Sequence, residues 1–282
     1  MKQFMQNRFD LILELLQCPE CRLGELTVEQ DESILRCKHC RKQYQVKDGI
    51  LDLLNEQDVP LAKTAFGKLA AKSYDVFAAR SAFRKLYRWQ FEDEFAEYTS
   101  SIEFMSSDIL CDVGCGTGNY TLQFARQLNA GVAIGVDISW AMLELLVQHA
   151  QSKGITNVVA IRANAENLPL KDGSLCKVFN GCLHHLFPRI QSSVAETYRC
   201  LEQGGVFFGS TFFTTQSALF GMIQQFSAFA LAARPVVPEV LEQELGKVGF
   251  RNVVIRPGRI GQFFFGSYDA VKQGGRPTSA CT

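Results

Sequence analysis

Two groups of residues have types and spacing that suit chemistry. Cys18-Pro-Glu-Cys21 and Cys37-Lys-His-Cys40 are C-x-x-C pairs separated by fifteen residues. At that spacing, two knuckles of a ribbon can bring four thiolates tetrahedrally around one metal ion. Four protein ligands leave no open coordination position, so the expected metal, zinc, is structural. His39 inside the second knuckle is a competing ligand, and a redox C-x-x-C pair is the alternative reading of the same thiols. The second group is Asp112-Val-Gly114-Cys115-Gly116-Thr117-Gly118. It leaves an apolar run, Ile109 to Val113, and opens a helix-like stretch, Tyr120 to Leu128. Strand, glycine turn and helix in that order form a nucleotide-site pattern. Glycines suit it because the chain must turn sharply and let backbone approach a ligand where a Cβ would intrude.

The next apolar run, Val132 to Val136, ends at Asp137, about twenty residues past the loop, where a carboxylate can accept both hydroxyls of a ribose. Ile138 and Met142 follow beside the expected adenosine. The loop is G-x-G-x-G rather than G-x-G-x-x-G, has no Walker lysine, and carries Asp112 just before it. An acid there repels a pyrophosphate but can hold an ammonium group, so the expected ligand has an amino-acid end and no phosphate. Further on, Cys176 to His185 reads as another strand and its exit loop, placing Asn180 and Gly181 at the carboxyl edge where doubly wound sheets hold ligands. His184 and His185 then fall at the mouth of the site. Histidine titrates near neutrality, which makes both candidate general bases. A structural hydrogen bond or passive lining is the competing reading for each.

These groups need elements to hold them. The chain has 282 residues, 47% of them hydrophobic, enough for one large core and a small satellite. The expected organisation is a zinc-ribbon module at 1–56, a helical linker or cap at 57–100, a catalytic domain at 101–272 with a lid insertion at about 212–236, and a disordered tail at 273–282. The ribbon hairpin is expected from Glu25 to Val28 and from Ile34 to Arg36, with the apolar run Gly49 to Leu54 as its docking surface. Lys and Arg together number 29, as do Asp and Glu, so net charge invites neither nucleic acid nor an anionic membrane. No export signal or bilayer-length apolar run is present, the expected location is the cytoplasm, and the ten cysteines are expected to stay reduced.

From Leu61 to Phe95 apolar residues recur at helical spacing with a local excess of Lys and Arg. This reads as a cap over the pocket, or as a contact for RNA or a membrane surface. The insertion containing Phe212, Phe213, Phe220, Phe226 and Phe229, with Phe263 to Phe265 added, reads as an apolar lid, or as a surface packed on the sheet edge or a second subunit. Thr211 to Ala233 contains no cation, whereas an RNA acceptor would want arginines there.

Asp112 to Gly118, Asp137 and Asn164-Ala165-Glu166-Asn167-Leu168-Pro169 resemble the motifs of class I S-adenosylmethionine-dependent methyltransferases, over roughly residues 100 to 256. The resemblance implies an α/β fold with a Rossmann-like doubly wound sheet. It implies that the glycine loop carries the methionine moiety, that Asp137 binds ribose, and that Asn164, Ala165 and the adjoining Glu166 lie at the adenine. Asn164 stands where many relatives have Asp. Leu183-His184-His185 resembles the exit loop of small-molecule methyltransferases. Arg199 to Gly205 resembles the family's RVLKPGG turn with Glu-Gln in place of Lys-Pro, and Val240 to Phe250 resembles its last helix.

With the cysteine ribbon, the chain resembles two groups: guanine methyltransferases of large-subunit ribosomal RNA, and methyltransferases related to ubiquinone and menaquinone biosynthesis. The expected acceptor is a hydrophobic or aromatic small molecule, methylated on oxygen with histidine assistance. An RNA base is the alternative, and an inert binding module is a third. The sequence gives no oligomeric state.

Overall fold

The computed structural model describes residues 12–29, 32–58, 91–187, 189–214, 235–256 and 265–274. The expected linking helices before Phe91, the lid between 215 and 234, and the tail from 275 lie outside them. The N-terminal module supplies β1 (Leu26–Val28), β2 (Ile34–Cys37), β3 (Gln43–Lys47) and β4 (Ile50–Asp52). After helix α1 (Phe91–Thr99) come β5 (Ile109–Val113), α2 (Asn119–Gln127), β6 (Val132–Asp137), α3 (Trp140–Ser152) and β7 (Val158–Arg162). The chain continues through β8 (Leu175–Gly181), α4 (Gln191–Cys200), β9 (Leu201–Phe212), α5 (Pro238–Val248), β10 (Phe250–Arg256) and β11 (Phe265–Lys272).

All of these strands join one sheet in the order β1-β2-β3-β4-β7-β6-β5-β8-β9-β11-β10. From β4 to β9 the pairs are parallel. β5, β6 and β8 are apolar and buried almost throughout, as strands covered by helices on both faces must be. The chain runs β5, β6, β7 in one direction and then returns to lay β8 on the other side of β5. A crevice therefore opens at the carboxyl ends of β5 and β8, where the strand order reverses.

The ribbon is part of this sheet rather than a separate body beside it. Ile50, Leu51 and Asp52 pair in parallel with Ala160, Ile161 and Arg162, and Asp52 accepts a charged hydrogen bond from Arg162 at 3.0 Å. Ile12 and Leu16, fully buried, pack in the same core as β6 and β7.

Local chemistry sets the ends of the elements. Ser139 caps α3 by accepting the N–H of Met142. Pro238 opens α5, and Gly249 closes it at φ 110°, the usual arrangement of proline inside a helix start and glycine beyond its end. The Arg199 to Gly205 segment, expected as a turn, instead lies largely within β9, with Gly204 at φ 81° and a register irregularity against β8. Phe265, expected in the lid, begins β11 and pairs with Phe212. Among the described residues, Cys18, Cys21, Cys37, Cys40, Cys111, Cys115, Cys182 and Cys200 are thiols rather than disulfides.

Candidate functional site

The glycine loop is stitched to the end of β6. The N–H groups of Gly114 and Cys115 donate to the carbonyl of Val136 at 2.8 and 3.0 Å, and that of Gly116 donates to the Asp137 carboxylate at 2.9 Å. Gly114, Gly116 and Gly118 have φ of 78°, 54° and 85°, the left-handed region that glycine enters without strain. A Cβ on Gly114 would also lie 2.9 Å from Leu183, so the β8 exit loop closes directly over the turn. Thr117 is buried, and its carbonyl meets the ring of His149 at 3.2 Å, a support from α3 that no sequence signal marked.

Asp112 lies beneath the loop, 1% exposed, and accepts the Thr121 hydroxyl at 2.6 Å. Burial, opposed by that hydrogen bond and aided by the charge of Asp137, pushes its carboxyl up to about 7. Asp137 accepts the N–H of Ser139 on its other oxygen at 2.8 Å. Each oxygen thus holds one backbone donor and keeps acceptor capacity for a hydroxyl. Burial raises the Asp137 carboxyl as well.

The strip that follows β7 lies beside this carboxylate, since Ala163 donates to the Asp137 carbonyl at 3.1 Å. Asn164 accepts the N–H of Glu166 at 3.0 Å and donates to Asp58 at 2.9 Å. Its amide is therefore oriented by a residue just beyond the ribbon. Met142 is buried on the adjoining helix. Glycine loop, Asp137, Ile138, Met142 and the strip at Asn164, Ala165 and Glu166 thus come together around the ends of β5, β6 and β7.

Asn180 and Gly181 end β8. The Asn180 side chain accepts the N–H of Leu183 at 3.2 Å, and Cys182 turns the chain at φ 59°. His184 is then 1% exposed, stacked on Tyr268 with ring centres 5.6 Å apart and edge-on to Phe207 at 5.9 Å. Neither of its ring nitrogens has a hydrogen-bond partner. His185 meets Phe212 edge-on at 6.2 Å. Burial pushes the His184 imidazole down to about 3, with the neighbouring His185 adding to the shift, and pushes His185 down to about 4. The expectation that they titrate near neutrality is therefore corrected: both are neutral at physiological pH. Tyr268, whose hydroxyl is buried and unpartnered, was missed because β11 itself was not recognised.

The four cysteines converge. Their Sγ atoms lie within 4.8 Å of one another, with Cys18 to Cys40 at 3.6 Å and Cys21 to Cys37 at 3.7 Å. Tetrahedral zinc–thiolate geometry requires about 3.8 Å between sulfurs. A Cβ on Gly24 would lie 2.2 Å from the Cys37 Sγ, so the knuckle closes only around glycine. For Cys40, a hydrogen bond from the Lys42 backbone favours the thiolate, but burial and the three neighbouring thiols outweigh it and push the thiol up to about 12. A cation is what lets such a cluster ionise together. The residues fit zinc, and His39 is not among the converging ligands.

Comparison with known proteins agrees with this geometry. Residues 110–205 match the model of a methyltransferase domain, and residues 10–49 match that of Trm112p-like proteins. An uncharacterized chloroplastic methyltransferase of Arabidopsis thaliana is 28% identical over 218 residues, covering 71% of this chain and 62% of that protein. A demethylmenaquinone methyltransferase of Symbiobacterium thermophilum is 33% identical over 154 residues, covering 54% of this chain and 59% of that one. The chain thus spans about three fifths of these relatives' length. A structure of phosphoethanolamine N-methyltransferase 2 from Haemonchus contortus with S-adenosyl-L-methionine shares the fold, at a TM-score of 0.62 and 13% identity, covering 78% of this chain and 61% of that one. Residues 110–205 thus form a methyltransferase domain of the class I S-adenosylmethionine-dependent type, and a Trm112p-like four-cysteine region precedes it.

Proposed function

We propose that the protein methylates a hydroxyl of an uncharged aromatic small molecule of the quinol type, using S-adenosylmethionine. One observation carries the choice of acceptor. The described residues at the carboxyl edge beyond the cofactor crevice, Asn180–Phe187, Gly209–Phe213 and Gly266–Tyr268, include no Asp, Glu, Lys or Arg. Aromatic rings and hydroxyls line this edge, which suits an apolar ring carrying a polar group and offers a phosphate backbone nothing. The demethylmenaquinone methyltransferases among the relatives support a quinone-like acceptor.

When bound, the cofactor supplies a methyl group already activated on a sulfonium. In this reading the glycine loop and Asp112 hold its amino-acid end, Asp137 its ribose, and Ile138, Met142, Asn164, Ala165 and Glu166 surround its adenine. Asn180, Gly181 and Leu183 close over the sulfonium side. His184 or His185, held neutral, would accept a hydrogen bond from the acceptor hydroxyl and orient its oxygen; because burial disfavours the imidazolium, the hydroxyl proton would pass on to water rather than stay on the ring.

The second reading, an RNA base as acceptor, draws on the ribbon. Three of its cations are already engaged: Arg36 with Glu29, Lys38 with Glu25 and Lys42 with Glu56. Incubation of the zinc-loaded protein with methyl-labelled cofactor and a panel of quinols, simple phenols and ribosomal RNA tests the assignment. Label in quinol or phenol ethers is expected. Label in RNA alone would overturn it.

A further inference from the structure

We infer that Arg22 is a positioning residue for the cofactor site, through which metal binding by the four cysteines strengthens the hold on S-adenosylmethionine. This rests on the reading that the strip at Asn164 to Leu168 walls the adenine. Arg22 directly follows a cysteine of the first knuckle. Its N–H closes that knuckle by donating to the Cys18 carbonyl at 2.8 Å, and its backbone is in the left-handed region at φ 55°. Its guanidinium reaches across 145 residues of sequence to the Asn167 side-chain carbonyl and donates to Glu196 at 2.9 Å.

Glu196 is itself buried and uses its other oxygen to accept the N–H of Leu168 at 2.9 Å. One arginine thus grips the end of the cofactor strip directly and through a buried carboxylate.

The rest of the knuckle points the same way. The Pro19 carbonyl, between two of the cysteines, accepts from Asn167 at 3.3 Å and from Asn55 at 3.2 Å. Gln17 donates to the Pro169 carbonyl at 3.1 Å, and Lys171 donates to that of Leu15 at 2.8 Å. Between knuckle and strip lies a polar groove of about 420 Å³ that includes Arg22, Asp58 and Asn164, and the two side chains behind Arg22 share a hydrogen bond.

β4 and the residues before the first knuckle are held by the main sheet and core, but the two knuckles meet at four thiols, and holding four thiolates together requires a cation. With metal, Arg22 and the Pro19 carbonyl are fixed where the strip needs them. Without it, the strip loses two side-chain anchors, Arg22 on Asn167 and Asn167 on the Pro19 carbonyl, and Glu196 keeps only Arg199 as its cation. By linkage, the cofactor must tighten metal binding to the same degree as metal tightens cofactor binding.

The test is calorimetric titration with S-adenosylhomocysteine of zinc-loaded and chelator-stripped wild type, and of zinc-loaded Arg22→Ala, Arg22→Lys and Asn167→Ala. Zinc content and thermal melting are checked for each. Stripped wild type and zinc-loaded Arg22→Ala are each expected to bind about tenfold more weakly, with Arg22→Lys recovering part of the loss. S-adenosylhomocysteine is also expected to slow zinc transfer to a colorimetric chelator in wild type, and to do so far less in Arg22→Ala. If stripped protein or one variant unfolds, the remaining zinc-loaded variants and the zinc-transfer rates decide. Wild-type affinity in both folded Arg22→Ala and Asn167→Ala, with zinc transfer indifferent to S-adenosylhomocysteine, overturns the coupling and leaves the cofactor site standing. Absence of binding by zinc-loaded wild type overturns both.

Discussion

Thr121 donates its hydroxyl to Asp112 at 2.6 Å beneath the glycine loop, and neither residue is more than 1% exposed. Burial, working against that hydrogen bond, makes the carboxyl bind its proton more readily folded than unfolded, at about 7 against 3.8. Its contribution to stability is therefore complete below about pH 3.8 and is lost as pH rises through about 7. Replacement by the neutral amide in Asp112→Asn removes that loss. The variant is expected to melt higher than wild type at pH 8 but not at pH 4, by at most about 4 kcal/mol for three pKa units. If Asp112 holds the ammonium group as proposed, the variant should also bind S-adenosylhomocysteine more weakly. Melting at the two pH values, paired with titration, checks both effects.

The two histidines act with the opposite sign. Their folded values of about 3 and about 4 lie below the ordinary 6.5, so the folded state binds their protons less readily. Stability is complete above pH 6.5 and declines as pH falls from there towards 3. His184→Phe, which keeps a ring against Phe207 and Tyr268, is expected to flatten that decline. If His184 orients the acceptor hydroxyl, kcat should fall by about 10²-fold or more while S-adenosylhomocysteine affinity holds. The wild-type rate should show no inflection near pH 6.5 from either imidazole. Melting curves and a pH–rate profile measure both.

At the ribbon, Gly24→Ala places a Cβ where the Cys37 sulfur must sit. Zinc affinity is expected to drop at least about tenfold. Because β4 pairs with β7 in the main sheet, the effect should not stay local. A loss of about 3 kcal/mol would lower the melting midpoint by roughly 6–10 °C in a domain of this size. Metal competition and calorimetry of the same sample would show whether the two losses occur together.

The parts of the molecule legible in the sequence were those with short-range chemical reasons. The strand from Ile109 to Val113 and the turn after it were recoverable because glycine, acid and apolar run sit in one continuous stretch. The cysteine cluster was recoverable because its metal needs a fixed spacing. β4 was readable as an apolar run, but its partner β7 lies more than a hundred residues away, and nothing local specifies that pairing. The same holds for Arg22 with Asn167 and for Asp58 with Asn164: ordinary surface residue types whose meaning comes from the tertiary contact. The histidines were located correctly in the exit loop, yet their titration was misjudged. Burial against Phe207 and Tyr268 depends on β11, which pairs with β9 from beyond the lid segment.

The central claim is that the crevice at the ends of β5, β6 and β7 binds S-adenosylmethionine with Asp137 at the ribose. Its most direct test is calorimetric titration of zinc-loaded protein with S-adenosylhomocysteine, in wild type and in Asp137→Ala. The account predicts micromolar binding by wild type and a loss of about a hundredfold or more in the variant, since two hydroxyl contacts to a half-buried carboxylate disappear. No binding by folded, zinc-loaded wild type, or equal affinity in a folded Asp137→Ala, would contradict it.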